Sequence, residues 1–288
     1  MHDSLTDSLP YSLTGAAHDV LQTSDPVEKA TKTQDYVQKW LSGVLNTCDV
    51  IEMPDRPARP EKPVLCSPSE MPKRRKAGSL KGKINLLHAL AHIELNAIDL
   101  AWDIMGRFAH YAEEHEHQDF TLTKAFYDQW CAVAADEAKH FLMLESRLND
   151  FEATYGDLPA HDGLWEAALA TKDSLPARLA IVPMVLEARG LDVTPAMIAA
   201  MKKQDDLKTA DLLQTIHDDE IDHVKAGTIW FKSWCQVHGL DVETYWQQLV
   251  REYFHGVLKR PFNDLSRIKA GMIPDWYEPL ADEMANYG

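Results

Sequence analysis

Asp136-Glu137-Ala138-Lys139-His140 and Asp219-Glu220-Ile221-Asp222-His223 are the stretches on which a reading of this chain turns. Positions i and i+3 of a helix lie on one face, so each Glu-x-x-His offers a carboxylate oxygen and an imidazole nitrogen in the same direction. The bare pair is weak. With 18 Glu and 13 His in 288 residues, about one match arises by chance. Glu114 with His117 and Glu252 with His255 repeat the pair without further signal. The preceding Asp136 and Asp219 set the two inner copies apart, and two such matches by accident have odds of roughly less than one in a hundred.

Working outward, apolar residues recur with the helical period around both motifs. Leu86, Leu87, Leu90, Ile93, Ala97, Leu100 and Ile104 predict a long helix from about Lys83 to Ala112, carrying Glu94. Asp119 or Thr121 caps a second, through Trp130, Val133, Leu144 and Leu148 to about Phe151, ended before Gly156 and Pro159. Ser174 and Pro176 open a third, which carries Glu187, is kinked at Pro183, stops at Gly190 and reopens at Thr194-Pro195. A fourth runs from Asp206 to Val237 before Gly239, and Asp241 caps a fifth through Leu258. No sustained alternation marks a strand, so the fold class is all-α.

The order along these helices is Glu94, then Glu137 with His140, Glu187, then Glu220 with His223. One Glu from each of two helices and Glu-x-x-His from each of two others is the recurring ligand set of dinuclear carboxylate sites in helical bundles. Four glutamates in a bundle core need neutralising charge, which two divalent ions supply. Such ions are expected about 3.5 to 4 Å apart.

Outside the bundle, residues 1–30 are polar and carry no assignment, and Tyr36, Trp40, Leu41, Val44 and Leu45 predict a short helix over 33–45. Ile51 to Lys83 holds six of the fifteen prolines and a charge of +5, against −16 for the whole chain. It reads as an extended arm on an acidic body, with Lys73 to Lys76 as a candidate basic surface for a partner. From Pro261 the tail reads as coil. The expected organisation is an N-terminal extension over 1–82, a helical metal-binding bundle over 83–260 and a packed tail over 261–288.

Net acidity argues against a surface that grips nucleic acid throughout. No run approaches about 18 apolar residues and the start lacks a signal-peptide pattern, which predicts a soluble, cytoplasmic protein with no membrane contact. Cys48, Cys66, Cys131 and Cys235 form no C-x-x-C, so neither a rubredoxin-type site nor a disulfide framework is readable.

R-P-A-R-P-E-K-P at 56–63, M-P-K-R at 71–74, H-A-L-A-H-I-E-L-N-A-I-D-L-A at 88–101, L-E-A-R-G at 186–190 and the two Asp-Glu-x-x-His motifs resemble a family of ferritin-like proteins of unknown function, regarded as di-iron four-helix-bundle proteins. The resemblance runs from about Asp55 to Tyr277. More distantly, the chain is similar to the di-iron tRNA hydroxylases and bacterial multicomponent monooxygenases. The resemblance implies a ferritin-like four-helix bundle with added helices. It also implies a centre of two iron ions, or manganese or a mixed pair, on Glu94, Glu137, His140, Glu187, Glu220 and His223. By the same likeness Asp136 holds His223 and Asp219 holds His140, bonds that fix the imidazole tautomer.

Among other histidines, His217 lies one turn before Glu220 and is a candidate pocket residue. His88 and His92 fall off the ligand face and are expected to be packed or hydrogen-bonded. His110, His115 and His117 are expected in a solvated loop. Three functions compete. The first is an oxygen-activating oxidoreductase, a hydroxylase or related oxidase, using dioxygen and an external electron donor on a small-molecule or RNA-derived substrate. The second is a ferroxidase or peroxide-scavenging protein, and the third is a metal-stabilised scaffold without catalysis. The chain is expected to be a monomer or a dimer.

Overall fold

The computed structural model describes residues 12–46, 48–67, 79–111 and 120–285. Two short helices, α1 (Leu13–Gln22) and α2 (Pro26–Leu41), precede the arm. The long helices follow: α3 (Leu80–Arg107), α4 (Lys124–Asn149), and, after the short α5 (Gly163–Ala170), a composite of α6 (Leu175–Ile181), a π-helical turn (Val182–Glu187) and α7 (Ala188–Lys203). Next come α8 (Leu207–His238), α9 (Val242–Tyr253), α10 (Asp264–Lys269) and α11 (Pro274–Ala285). The described residues contain no strand, only an isolated parallel bridge between Leu65 and Ala160. No described helix is long and apolar enough to cross a membrane.

Helix α3 packs on α4, α7 and the π turn pack on α8, and α4 joins the two pairs through α8. On the outside, α1 covers α3 and α2 covers α4. Every residue from Glu94 to Gly106 is consequently buried, so this stretch of α3 is enclosed on all sides. An enclosed helix is ordinarily apolar all round. This one buries Glu94, Asp99 and Asp103, and each must be answered chemically.

Asp99 and Asp103 are answered by cations from outside the long helices. Lys29 of α2, itself buried, places its Nζ 2.5 Å from Asp99 Oδ1, and Arg59 of the arm pairs with the other oxygen while donating to Asn96 Oδ1 at 2.7 Å. Arg178 of α6 pairs with Asp103, which also accepts from Arg107 Nε at 2.9 Å. Arg107 in turn donates to the Pro54 carbonyl at 2.7 Å. The described part of the arm, 51–67, is thus extended and seated by its own arginine and its own backbone. Leu80 to Lys83, expected to end the arm, form the first turn of α3, started by Ser79 Oγ accepting from Gly82 N at 3.1 Å. Lys73 to Lys76 lie outside the described residues.

Five local expectations are corrected. Residues 13–22 and 26–32 are helical: Leu13, Ala16, Ala17, Val20 and Leu21 make a buried stripe on α1, while Asp25 Oδ1 caps α2 by accepting from Glu28 N at 2.8 Å. Helix α4 begins at Lys124, later than the Asp119 or Thr121 cap expected, after a Thr123 that makes no side-chain cap bond. The third long helix does not stop at Gly190. It continues through Pro195 because the Leu191 carbonyl, deprived of its intrahelical donor by that proline, accepts from Asn263 Nδ2 at 3.1 Å. The tail is helical too: Asn263 caps α10, and Trp276, Tyr277, Leu280 and Ala281 bury one face of α11 against α9. The fifth helix ends at Tyr253, short of Leu258.

Asp99→Ala strands Lys29 and Arg59 at a buried site. Unfolding in urea is expected to show a loss of about 3–5 kcal/mol, since removing one partner leaves an uncompensated charge.

Candidate metal centre

Of the six residues picked out in the sequence, Glu94, Glu137, His140 and Glu220 form one group between the long helices, His223 stands beside Glu137 and Glu220, and Glu187 is near enough for Glu137 and His223 to act on its charge. Glu94 comes from α3, Glu137 and His140 from α4, Glu187 from the last position of the π turn, and Glu220 and His223 from α8. Carboxylate oxygens of Glu94, Glu137 and Glu220 and one ring nitrogen of His140 lie within 4.8 Å of one another, a spacing that could hold a metal ion. His140 Nδ1 is 3.1 Å from Glu94 Oε2 and 3.5 Å from Glu137 Oε2. His223 mirrors it, with Nδ1 2.9 Å from Glu137 Oε1 and 3.8 Å from Glu220 Oε2.

On their outer sides, His140 Nε2 meets Asp219 Oδ2 at 2.9 Å and His223 Nε2 lies 3.6 Å from Asp136 Oδ2. The crossed arrangement expected of Asp136 and Asp219 is therefore present in space, closed as a hydrogen bond for Asp219 and approached for Asp136. Lys139, which the sequence did not single out, bridges these two aspartates.

The inner polar atoms do not satisfy each other. Both Glu137 oxygens, Oε2 of Glu187, Oε2 of Glu220 and both ring nitrogens of His223 are shielded from solvent without a hydrogen-bond partner. Even the close approach of His223 to Glu137 is not aligned as a hydrogen bond. Orphaned buried acceptors are costly, and a cation among them would satisfy several at once. The donor set, oxygens with two imidazoles, suits a divalent transition metal.

Without a cation, protons move to balance the charge. Burial, reinforced by Glu137, pushes Glu94 and Glu187 up to about 8, and Glu220 well above the usual carboxylate range. Glu137 moves the opposite way: burial opposes its charge, but His223 and His140 beside it hold it low. Burial likewise disfavours a charged His140, yet Glu137 and Glu94 raise it to about 11. His223 rises for the same reason.

His217 is buried one turn before Glu220, with Nε2 3.4 Å from Ser266 Oγ of α10 and Nδ1 unpartnered. It is not among the groups that close on the glutamates. His88 and His92 have the packed roles expected: His88 Nε2 accepts from Gly156 N at 3.0 Å, and His92 lies 2.8 Å from the Tyr155 hydroxyl and 3.1 Å from the His161 carbonyl. Burial lowers His92 to about 4. His115 and His117 fall outside the described residues.

Residues 22–278 match the protein family described as "Protein of unknown function (DUF455)". The chain belongs to that family. All six converging residues of this DUF455 member lie inside the matched span. An uncharacterized protein of Haemophilus influenzae is 35% identical over 279 residues, covering 93% of this chain and 94% of that protein. No solved structure matches.

Glu187 owes its place to the π turn. Pro183 has no N–H and its ring crowds the carbonyl four residues back, and the wider turn relieves both conflicts. The kink expected at Pro183 takes this form. Across from it, Gly227 of α8 leaves the notch that the proline ring fills, since a Cβ there would overlap Pro183 Cβ and Cγ. Gly227 follows Glu220 by two turns on the same helix, so one surface of α8 both carries candidate ligands and seats the turn.

Gly227→Ala is expected to lower stability by about 1–3 kcal/mol through overpacking and to reduce metal content by displacing Glu187. Thermal melting and elemental analysis check both. Metal must displace protons from His140 and His223 as well as from Glu94 and Glu187, so affinity for Co(II) is expected to fall as pH drops, more steeply below about 8 where the glutamates also protonate, by about tenfold per pH unit for each proton displaced. Calorimetry in buffers of different ionisation enthalpy counts those protons.

Proposed function

We propose that this protein is a non-haem dinuclear iron protein with a ferritin-like four-helix core, acting as an oxygen-activating oxidoreductase, a hydroxylase or related oxidase, on an organic substrate. One observation carries the reading. Among the described residues, Asp99 and Asp103 receive Lys or Arg within hydrogen-bond reach, whereas no Lys or Arg pairs with Glu94, Glu137, Glu187 or Glu220. A chain that neutralises its other buried acids with its own cations leaves these four for a cation from outside.

Glu94, Glu137, His140 and Glu220 would hold one ion, with His223 and Glu187 completing a second position. Iron bound there would supply the electrons that reduce dioxygen and the oxidising power to hydroxylate or desaturate an organic molecule. Manganese or a mixed pair fits the same donors. The protein's part is to shape and dry the site. Glu94, Glu137 and both histidines are sealed, so water is excluded on their side. Glu187 is half-buried and the Glu220 side chain 12% exposed, which makes their flank the less enclosed one. Dioxygen and substrate would approach from that flank, past His217, whose free Nδ1 can donate to or accept from a bound molecule. Asp219 fixes the His140 tautomer so that Nδ1 faces inward. The described parts of the extension, α1, α2 and 51–67, and of the tail, α10 and α11, would serve to enclose the bundle. An external electron donor would complete the cycle.

The test is to load the protein with ferrous iron without oxygen, admit oxygen, and follow absorbance with and without cell metabolites or RNA. An oxidised species whose decay is hastened by one substrate class supports the oxygenase. Glu187→Ala is expected to abolish rapid oxygen use and to lower iron from about two to about one per chain, because a ligand of one position is lost. Slow oxidation with many iron atoms retained per chain would point to ferroxidase or storage chemistry, and no oxygen reaction would point to a scaffold.

A further inference from the structure

Lys139 stands directly before His140 in the first motif, and its ammonium reaches the two aspartates behind the histidines. Nζ donates to Asp136 Oδ1 at 2.6 Å on its own helix and to Asp219 Oδ2 at 2.7 Å on α8. Asp219 Oδ2 is the same atom that meets His140 Nε2 at 2.9 Å, while the second oxygen of Asp136 is the one nearest His223 Nε2. A single cation is thus shared by the two anions that back the two imidazoles.

Those anions have somewhere else to go. The Asp136 side chain is 36% exposed and that of Asp219 27%, so each can turn to water, and their like charges push them apart. An aspartate that turns away releases the imidazole it orients, and a released imidazole can present either nitrogen to a metal. The ammonium opposes both the repulsion and the escape to solvent.

We propose that Lys139 is a positioning residue for the metal centre, clamping Asp136 and Asp219 together so that both histidines are held by Nε2 with Nδ1 toward the glutamates. This rests on the metal reading above. The competing role is a plain ion pair tying α4 to α8. Partly exposed pairs add little to folding, so the two roles separate cleanly: positioning shows in the metal, tying shows in the melt.

The experiment uses the full-length, metal-free protein titrated with Co(II), followed by the visible spectrum of the bound ion, for wild type, Lys139→Met and Lys139→Arg. Methionine keeps the helix propensity and most of the apolar stem. Lys139→Met is expected to bind Co(II) about tenfold more weakly, the lower end for groups that orient a ligand from outside, with an altered band shape. The metal-free melting temperature is expected to stay at the wild-type value. Lys139→Arg is expected to recover most of the affinity, since charge and two donors remain. Wild-type affinity and spectrum in Lys139→Met would overturn the proposal. So would a melting temperature that falls with the affinity while Lys139→Arg restores neither. A wild-type protein that binds no Co(II) at all would overturn the metal reading itself, and the role of Lys139 with it.

Discussion

A carboxylate sealed from water has to be neutralised, and helix α3 meets that demand in two ways within ten residues. Toward the N-terminal extension and α6, Asp99 and Asp103 are matched by Lys29, Arg59, Arg107 and Arg178. Toward α4 and α8, Glu94 faces Glu137, Glu220 and His140, and among the described residues no Lys or Arg pairs with it. The first arrangement helps decide where the extension, the arm and α6 sit, since each carries a cation paired with a buried aspartate of α3. The second fixes the spacing of the long helices, because four acids and two histidines must come close without being able to satisfy one another. Nearly everything else in the molecule encloses α3 so that both arrangements stay dry.

The buried Glu and His cluster was legible because helices repeat. Glu137 with His140 and Glu220 with His223 share a face by spacing alone, and the Asp before each Glu distinguished them from Glu114–His117 and Glu252–His255. Glu94 and Glu187 could be placed because each lies in a long apolar-periodic run. The rest was hidden for definable reasons. Lys139 is a surface-type residue whose partner Asp219 is 80 positions away, and pairing across helices leaves no local trace. Gly190 and Pro195 read as a break, since the donor that repairs the proline's damage, Asn263, sits in a segment with no periodic signal. Helix α1 did carry a stripe, Leu13 to Leu21, which the polar residues around it obscured.

The arm is a second case of distant information. Its prolines and arginines predicted an extended, charged segment, and 51–67 is that. What the composition did not say is that the contact is specific: Arg59 reaches Asp99 and Asn96, Arg56 reaches Asp162, and Asp55 both pairs with Lys172 and accepts from Trp165 Nε1 at 2.8 Å through its carbonyl. The arm thereby stitches α3 to α5 and to the segment after it, and the net charge of the body is only the background to those contacts.

The π turn at Val182–Glu187 bears on how this chain can change length. A π turn holds one more residue than an α turn in nearly the same rise. Deleting a single residue there would let the helix revert to regular α geometry with its two flanks still in register, whereas the same deletion in the α-helical stretches on either side would swing every side chain beyond it by about 100°. A loss within the turn would act locally, on the seat of the Pro183 ring against Gly227 and on the reach of Glu187, the turn's last residue. The π turn is therefore where this long helix can change length by one residue and keep its ends aligned, while in its α-helical parts register, and not burial, bars the insertions and deletions that exposed loops absorb.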